Sequence, residues 1–417
     1  MAHCLWHTGW MPWIFLAVSL IGATFSWNAH RPLLRSRTLS APSFMAGWLT
    51  DELAWQHLVW QIGATILFVA GGALAAWPGW LGLAITLGSW WGLVALIRRA
   101  RSARGTLEAS LREVLGPAAR PLDEPSLGRL ALPFQRSEPG VEIARDIPYV
   151  PDDDPRHRLD VYYPTGARSA TGDARDPRPV LLQVHGGAWV IGHKAQQALP
   201  LMFHMAARGW VCVSANYRLS PRATFPDHLV DLKRAISWIR SNIADYGGDP
   251  ALVCVTGGSA GGHLSSMLAL TANDPEYQPG FETVDTSVAA CVPFYGVYDF
   301  GNQYGLQPHD GLLRLLERSV MKQALEGNPD AFRSASPLAR VHPDAPPFFP
   351  IHGSLDGLAP VAEARRFVEE LRAISKAPVA YAELTGAQHA FEIFHSIRTS
   401  YTIRAVEQFL EWVRLRG

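Results

Sequence analysis

Three unbroken apolar runs open the chain, at 10–27, 58–77 and 80–97, each 18 to 20 residues long. After them the pattern changes to short β-branched blocks separated by amphipathic stretches. About 20 apolar residues in helical form cross the hydrocarbon core of a bilayer, so each run is predicted as a transmembrane helix. Trp10, Trp13, Trp27, Trp60, Trp77 and Trp80 flank the runs, where indole rings anchor at a lipid–water interface. The second and third runs carry no charge and share a predicted turn at Pro78-Gly79, which speaks against buried globular helices. For the first run an interfacial segment is the alternative to a span. No Lys or Arg precedes it, so a cleaved signal peptide is disfavoured.

Arginine placement then predicts orientation. Arg31, Arg35 and Arg37 follow the first run, and Arg98, Arg99, Arg101 and Arg104 follow the third, while the Pro78-Gly79 turn has none. By the positive-inside rule the loop after the first run and everything beyond residue 98 are cytoplasmic. The expectation is a multi-pass plasma-membrane protein with its N-terminus outside. Gly88 and Gly92 form a G-x-x-x-G, which leaves room for close helix approach and for a homo-oligomer.

Residues 106–115 form a short amphipathic pattern, and Pro117, Pro121 and Pro133 mark a linker. The predicted organisation is a membrane region at 1–104, an amphipathic helix and linker at 105–139, and a catalytic domain at 140–417. In that domain, apolar blocks at 160–163, 180–185, 211–215, 252–256, 289–293, 348–352 and 379–383 alternate with helical stretches such as 228–243 and 360–375. Apolar strands alternating with helices predict an α/β fold, with a mostly parallel sheet covered on both faces.

Composition narrows the function by exclusion. Lys and Arg number 37 and Asp and Glu number 37, so nothing points to nucleic acid. Of four cysteines, Cys212, Cys254 and Cys291 fall in predicted buried strands and Cys4 lies near the N-terminus. Their spacing fits neither a zinc site nor a disulfide framework, which suggests a reducing compartment.

Candidate chemistry centres on Gly257-Gly258-Ser259-Ala260-Gly261-Gly262. A bare G-x-S-x-G arises by chance too often to carry a nucleophile alone. Here a β-branched strand precedes it and a helix-compatible segment follows, the setting of a nucleophile elbow. A serine nucleophile needs an acid and a base later in the chain, after successive strands. Asp356 in His352-Gly-Ser-Leu-Asp356-Gly and His389 in Gly386-Ala-Gln-His389-Ala-Phe fill those places. Rivals are His263 and His352 for the base and Asp299 and Glu392 for the acid. His185-Gly186-Gly187-Ala188-Trp189 follows a strand with small residues, as an oxyanion loop requires. Its predicted donors are the backbone N–H groups of Gly187 and Ala188, with Gly186, joined by Ala260 of the serine turn.

With these motifs, and with Asn216-Tyr-Arg-Leu-Ser-Pro221 and Gly247-Gly-Asp-Pro250, the chain over 140–417 resembles hormone-sensitive-lipase-like α/β-hydrolase esterases. Within them it is most similar to membrane-anchored actinobacterial, especially mycobacterial, enzymes. The resemblance implies an α/β-hydrolase fold with a small helical cap, here near 301–335. In that cap 311–321 is amphipathic, and most such stripes face a core. The usual third glycine of the oxyanion loop is replaced by Ala188, followed by Trp189, as in kynurenine formamidase-like enzymes.

The expected function is hydrolysis of small-molecule or lipid-like carboxylic esters through an acyl-enzyme on Ser259, with no metal or cofactor. An arylformamidase or other amidase using the same triad is the alternative. A non-catalytic ligand-binding homologue is a third reading, weakened by the presence of His389.

Overall fold

The computed structural model describes residues 9–168 and 177–416, so Cys4 lies outside the described residues. Four helices come first: α1 (Met11–His30), α2 (Ser40–Glu52), α3 (Ala54–Ala70) and α4 (Trp77–Leu115). The helices α1 and α4 are long and apolar enough to cross a membrane; α2 and α3 make a third candidate together, bent by 83°. Contacts between α1 and α4 advance in step. Gly82 packs on the backbone of Leu16, Thr86 donates to the Ser19 hydroxyl at 2.8 Å, and His30 reaches the Gly92 carbonyl at 3.0 Å. The two helices are therefore parallel, and both run toward the catalytic domain.

Two expectations need correction here. Pro78 and Gly79 do not form the turn; they lie in the first turn of α4, where the missing proline N–H costs nothing. The chain reverses at 71–76 instead. Residues 106–115 are not a separate helix, because α4 continues without a break for 39 residues, about 58 Å at 1.5 Å per residue. Gly92 admits the close helix approach expected of it, to Ser26 of α1 within the same chain, while Gly88 faces open space.

A short helix α5 (Leu127–Ala131) leads into the catalytic domain. Its eight strands are β1 (Val141–Pro148), β2 (Arg158–Pro164), β3 (Arg178–Val184), β4 (Val211–Ala215), β5 (Gly248–Gly258), β6 (Ala290–Phe294), β7 (Ile351–Gly353) and β8 (Ala382–Leu384). They form one sheet in the order β1-β2-β4-β3-β5-β6-β7-β8. Pairing is parallel from β4 to β8, and β1 and β2 are antiparallel at one edge. Helices α6 (Leu199–Ala207), α7 (Asp227–Asn242), α8 (Ala260–Leu270), α9 (Gly311–Leu315), α10 (Pro329–Ser334), α11 (Val361–Ile374) and α12 (Ile397–Arg414) complete the chain.

Period-two alternation along the strands sends side chains to two cores. Val180, Leu182, Val253 and Val255 pack with Leu229, Ile236 and Leu264 of α7 and α8. On the opposite face Leu181, Cys212, Cys254 and Val292 meet α6 and α12. The far half of α4 joins that second layer, with Leu107 and Leu111 fully buried. The helix that begins as the third apolar run therefore ends as part of the catalytic domain's core. Along β3 and β5, in the middle of the sheet, the strands end at the oxyanion loop and the serine turn.

Candidate active site

Ser259 sits between β5 and α8 with φ 60° and ψ −121°, a conformation that L-residues avoid. The sharp corner holds because glycines let backbone approach on both sides. A Cβ on Gly257 would lie 2.5 Å from the Gly261 carbonyl oxygen and 2.7 Å from that of Val184. A Cβ on Gly261 would collide with the same Val184 carbonyl. The turn thus presses against the end of β3, and the serine side chain is pushed outward, half-buried in a cavity of about 600 Å³.

His389 lines the same cavity, in the loop after β8. Its Nδ1 lies 2.7 Å from Asp356 Oδ2, in the loop after β7, and both side chains are almost wholly buried. A carboxylate can only accept, so Nδ1 carries the proton and Nε2 is left as a base. The other Asp356 oxygen accepts from the N–H groups of Leu358 and Ala359 at 2.8 and 2.9 Å. Burial alone would raise the Asp356 pKa; the charge on His389 and hydrogen bonds from His352 and His389 outweigh it and hold the carboxyl well below its ordinary range.

Each rival is committed elsewhere. His263 is fully buried, facing the Ala335 carbonyl at 2.8 Å while Trp189 Nε1 donates to its Nδ1, and burial pushes its pKa down to about 3. His352 supports the acid: its Nε2 reaches the Ala359 carbonyl at 3.0 Å and Asp356 Oδ2 at 3.3 Å. Asp299 accepts from the Tyr304 N–H. Glu392 accepts from the Tyr295 hydroxyl. The Tyr295 ring in turn packs against the His389 imidazole, 4.4 Å between centroids.

The oxyanion loop turns left-handed through three residues, with φ 122° at Gly187, 52° at Ala188 and 61° at Trp189. Such a run of positive φ aims successive N–H groups into one concavity. Gly186 behaves differently from its neighbours: its N–H donates to Gln197 Oε1 at 2.6 Å. Gly187, Ala188 and Ala260 have no N–H partner among the described residues. Three candidate donors therefore remain rather than four, and Gly186 instead provides space, since a Cβ there would meet the Gly258 carbonyl at 2.5 Å. Ala188 tolerates its φ at a cost of about 1–2 kcal/mol. Trp189 is buried edge-on to His263 and Phe300, which fixes the base of the loop.

Several residues of the cavity wall were not anticipated from sequence. Arg37, Ser40, Ala41, Phe44, Met45 and Trp48 line it, all from α2 and the loop before it. The Phe44 ring meets His389 edge-on at 5.9 Å, and Trp48 Nε1 donates to the Ala390 carbonyl at 2.8 Å. Gln197 and Tyr295 were also missed; no local motif marks either. Leu312 and Leu315 of α9 line the cavity too, while Leu316 and Val320 beyond them are fully buried. The amphipathic 311–321 stretch thus serves both the core and the site. Among the described residues no cluster of three or more His, Cys, Asp or Glu side chains has the arrangement of a metal site.

Comparison with known proteins agrees with this geometry. Residues 159–371 match the family model described as BD-FAE. A probable carboxylic ester hydrolase of Mycobacterium tuberculosis, LipM, is 44% identical over 95% of this chain and 92% of its own length. The esterase LipQ of the same organism is 44% identical over 75% of each chain. The butyrate-bound structure of esterase Est2 from Thermogutta terrifontis is 27% identical with a TM-score of 0.53, covering 66% of this chain and 94% of that one. The chain belongs to the BD-FAE family of hormone-sensitive-lipase-like α/β-hydrolases and is a serine hydrolase of carboxylic esters.

Proposed function

We propose that this esterase is anchored in the plasma membrane and works through an acyl-enzyme on Ser259. The observation that carries the chemistry is a strained serine sharing one cavity with a histidine whose Nδ1 is bonded to a buried carboxylate. Ser259 Oγ attacks the ester carbonyl while His389 Nε2 takes its proton. Asp356 holds the tautomer and stabilises the imidazolium. The carbonyl oxygen gains negative charge facing the N–H groups of Gly187, Ala188 and Ala260, each worth about 10²–10³ in rate. Collapse breaks the C–O bond, and His389 returns the proton to the departing alcohol. Water, deprotonated by the same imidazole, then releases the acid and restores Ser259.

The anchoring rests on α1, α3 and α4. The ends of α1 and α2 and the start of the basic stretch of α4 lie together on the catalytic-domain side, where Arg99 donates to the Ala29 carbonyl and to Asp51. Arginine placement makes that side cytoplasmic.

Labelling by a fluorophosphonate that disappears in Ser259→Ala, with p-nitrophenyl esters turned over faster than N-formylkynurenine, is the expected result. Labelling that survives the substitution overturns the assignment of Ser259. Faster turnover of N-formylkynurenine overturns the ester preference. For topology, protease added outside intact cells should leave the catalytic domain uncut; digestion there refutes the cytoplasmic side.

A further inference from the structure

Helix α2 lies between two apolar helices yet faces the catalytic cavity, and its direction is informative. It is bent by 83° from α3. If α3 crosses a bilayer, α2 runs along the bilayer surface. Its exposed positions are Pro42 and Leu49 on the outward side and Ala41 and Met45 at the cavity rim, none of them polar, with exposed Leu39 just before its first turn. Met45 is 52% exposed and Leu49 37%. An outward helix face with no charge is unusual where water is the solvent and expected where the headgroup–acyl boundary is.

The inward side of α2 is bonded to the catalytic domain. Its terminal carboxylates, Asp51 and Glu52, pair with the fully buried Arg398 of α12, Asp51 at 3.3 Å. Gly47 packs on Gln388, and Trp48 bonds Ala390, so the helix holds the residues on both sides of His389.

One residue fixes the depth of this arrangement. Arg99 lies two positions beyond the third apolar run, in the basic stretch that marks a bilayer edge. It contacts the last turn of α1 at Ala29 and the end of α2 at Asp51. Its guanidinium also fills the space above Gly386, three residues before the catalytic histidine. The histidine loop, α2 and the ends of two membrane helices therefore share one level. The cavity lining includes the exposed apolar residues Ile191 (67%) and Leu358 (36%), beside Arg37, which pairs with Asp310 at 3.7 Å.

We infer that α2 is an in-plane interfacial helix and that the ester reaches Ser259 from the lipid bilayer, passing beneath α2. The substrate class is an amphiphile whose ester carbonyl sits at headgroup depth while its chain stays in lipid. This rests on the membrane-anchored esterase reading. In it, Phe44, Met45 and Trp48 select the acyl group, and the exposed face of α2 seats the mouth in lipid.

The test uses the full chain reconstituted in phosphatidylglycerol–phosphatidylcholine vesicles. Turnover of a long-chain acyl ester embedded in the vesicles is compared with that of soluble p-nitrophenyl butyrate. Leu39 and Leu49 lie outside the cavity, so Leu39→Asp/Leu49→Asp should leave soluble-ester turnover within about twofold and lower bilayer-ester turnover at least about tenfold. Equal effects on both esters, or none on either, overturn lateral entry. A fluorophore on Leu49→Cys, in a Cys4→Ser background, gives a second readout that does not need activity. Quenching by lipids carrying shallow nitroxides supports the proposal. Quenching by aqueous iodide alone overturns it, as does self-quenching between two labelled copies, which would make the face a dimer contact. Protein that fails to float with vesicles, or is stripped by alkaline carbonate, defeats the membrane reading itself and is distinguishable from these outcomes.

Discussion

Asparagine in place of Asp356 is a demanding test of the triad, because the surroundings dictate how the amide must sit. Oδ1 accepts two backbone N–H groups, from Leu358 and Ala359, and only oxygen can fill that place. The amide nitrogen of Asp356→Asn is then forced into the position of Oδ2, 2.7 Å from His389 Nδ1 and 3.3 Å from His352 Nε2. There it donates, so His389 must accept through Nδ1 and carry its proton on Nε2, the atom that has to receive the serine proton. The one Nε2–H of His352, shared between the Ala359 carbonyl and Asp356 Oδ2, then meets an amide N–H where it had an acceptor. The imidazolium also loses a buried charge-assisted hydrogen bond of about 1.5–3 kcal/mol. Wrong tautomer and lost bond together raise the barrier by about 5 kcal/mol, roughly 10⁴ in kcat, the size seen when a triad aspartate is amidated elsewhere. Steady-state kinetics on p-nitrophenyl butyrate, with circular dichroism to confirm folding, measures this. A folded Asp356→Asn that loses less than about tenfold in kcat would refute the assignment of Asp356 as the orienting acid.

Three further outcomes follow from the packing. Gly261→Ala places a Cβ into the Val184 backbone carbonyl, which cannot move aside as a side chain could; a loss of about 3 kcal/mol is expected, and a soluble variant with native Tm and activity contradicts it. Arg398→Met leaves Glu52 buried without its cation while Asp51 keeps Arg99, costing about 3–5 kcal/mol; neutralising Glu52 as well, in Glu52→Gln/Arg398→Met, should restore most of the Tm, and no recovery rejects the pairing argument. Burial lifts Glu363 from 4.5 to about 7, against hydrogen bonds from the Tyr298 and Asp299 N–H groups and Gln307. Between those values the folded state holds a proton that the unfolded chain has lost, so stability declines as pH rises through the window, by about 3 kcal/mol, and levels off above it. Glu363→Gln should flatten the Tm profile between about pH 5 and 8; an unchanged slope shows that Glu363 is not its source.

The catalytic core was legible because its signals are short-range. The β5 strand, the serine turn and α8 follow one another without interruption, and the loops carrying Gly187, Asp356 and His389 each come just after an apolar block. Burial by alternation is a local property, and so is a glycine where backbone must approach backbone. The same locality explains what failed. Pro78-Gly79 reads as a turn, but proline also suits a helix start, and residue identity does not separate the two. Gly186 reads as an oxyanion donor until Gln197, eleven positions on, takes its N–H.

By itself the amino-acid sequence determined the sheet, the glycine-flanked serine turn, the two loops whose Asp356 and His389 meet beside it, and the apolar runs able to enter a bilayer. Tertiary structure alone decided what roofs the site. Glu52 and Arg398 are 346 residues apart, and no local motif marks either. Only folding brings them together in a buried pair, and with them Phe44 and Trp48 over His389. An apolar pattern states that a face must leave water. It carries no record of which partner covers that face, because hydrophobic burial is non-directional. That choice depends on contacts between distant segments, and here it turned a predicted connecting loop into the wall of an active site.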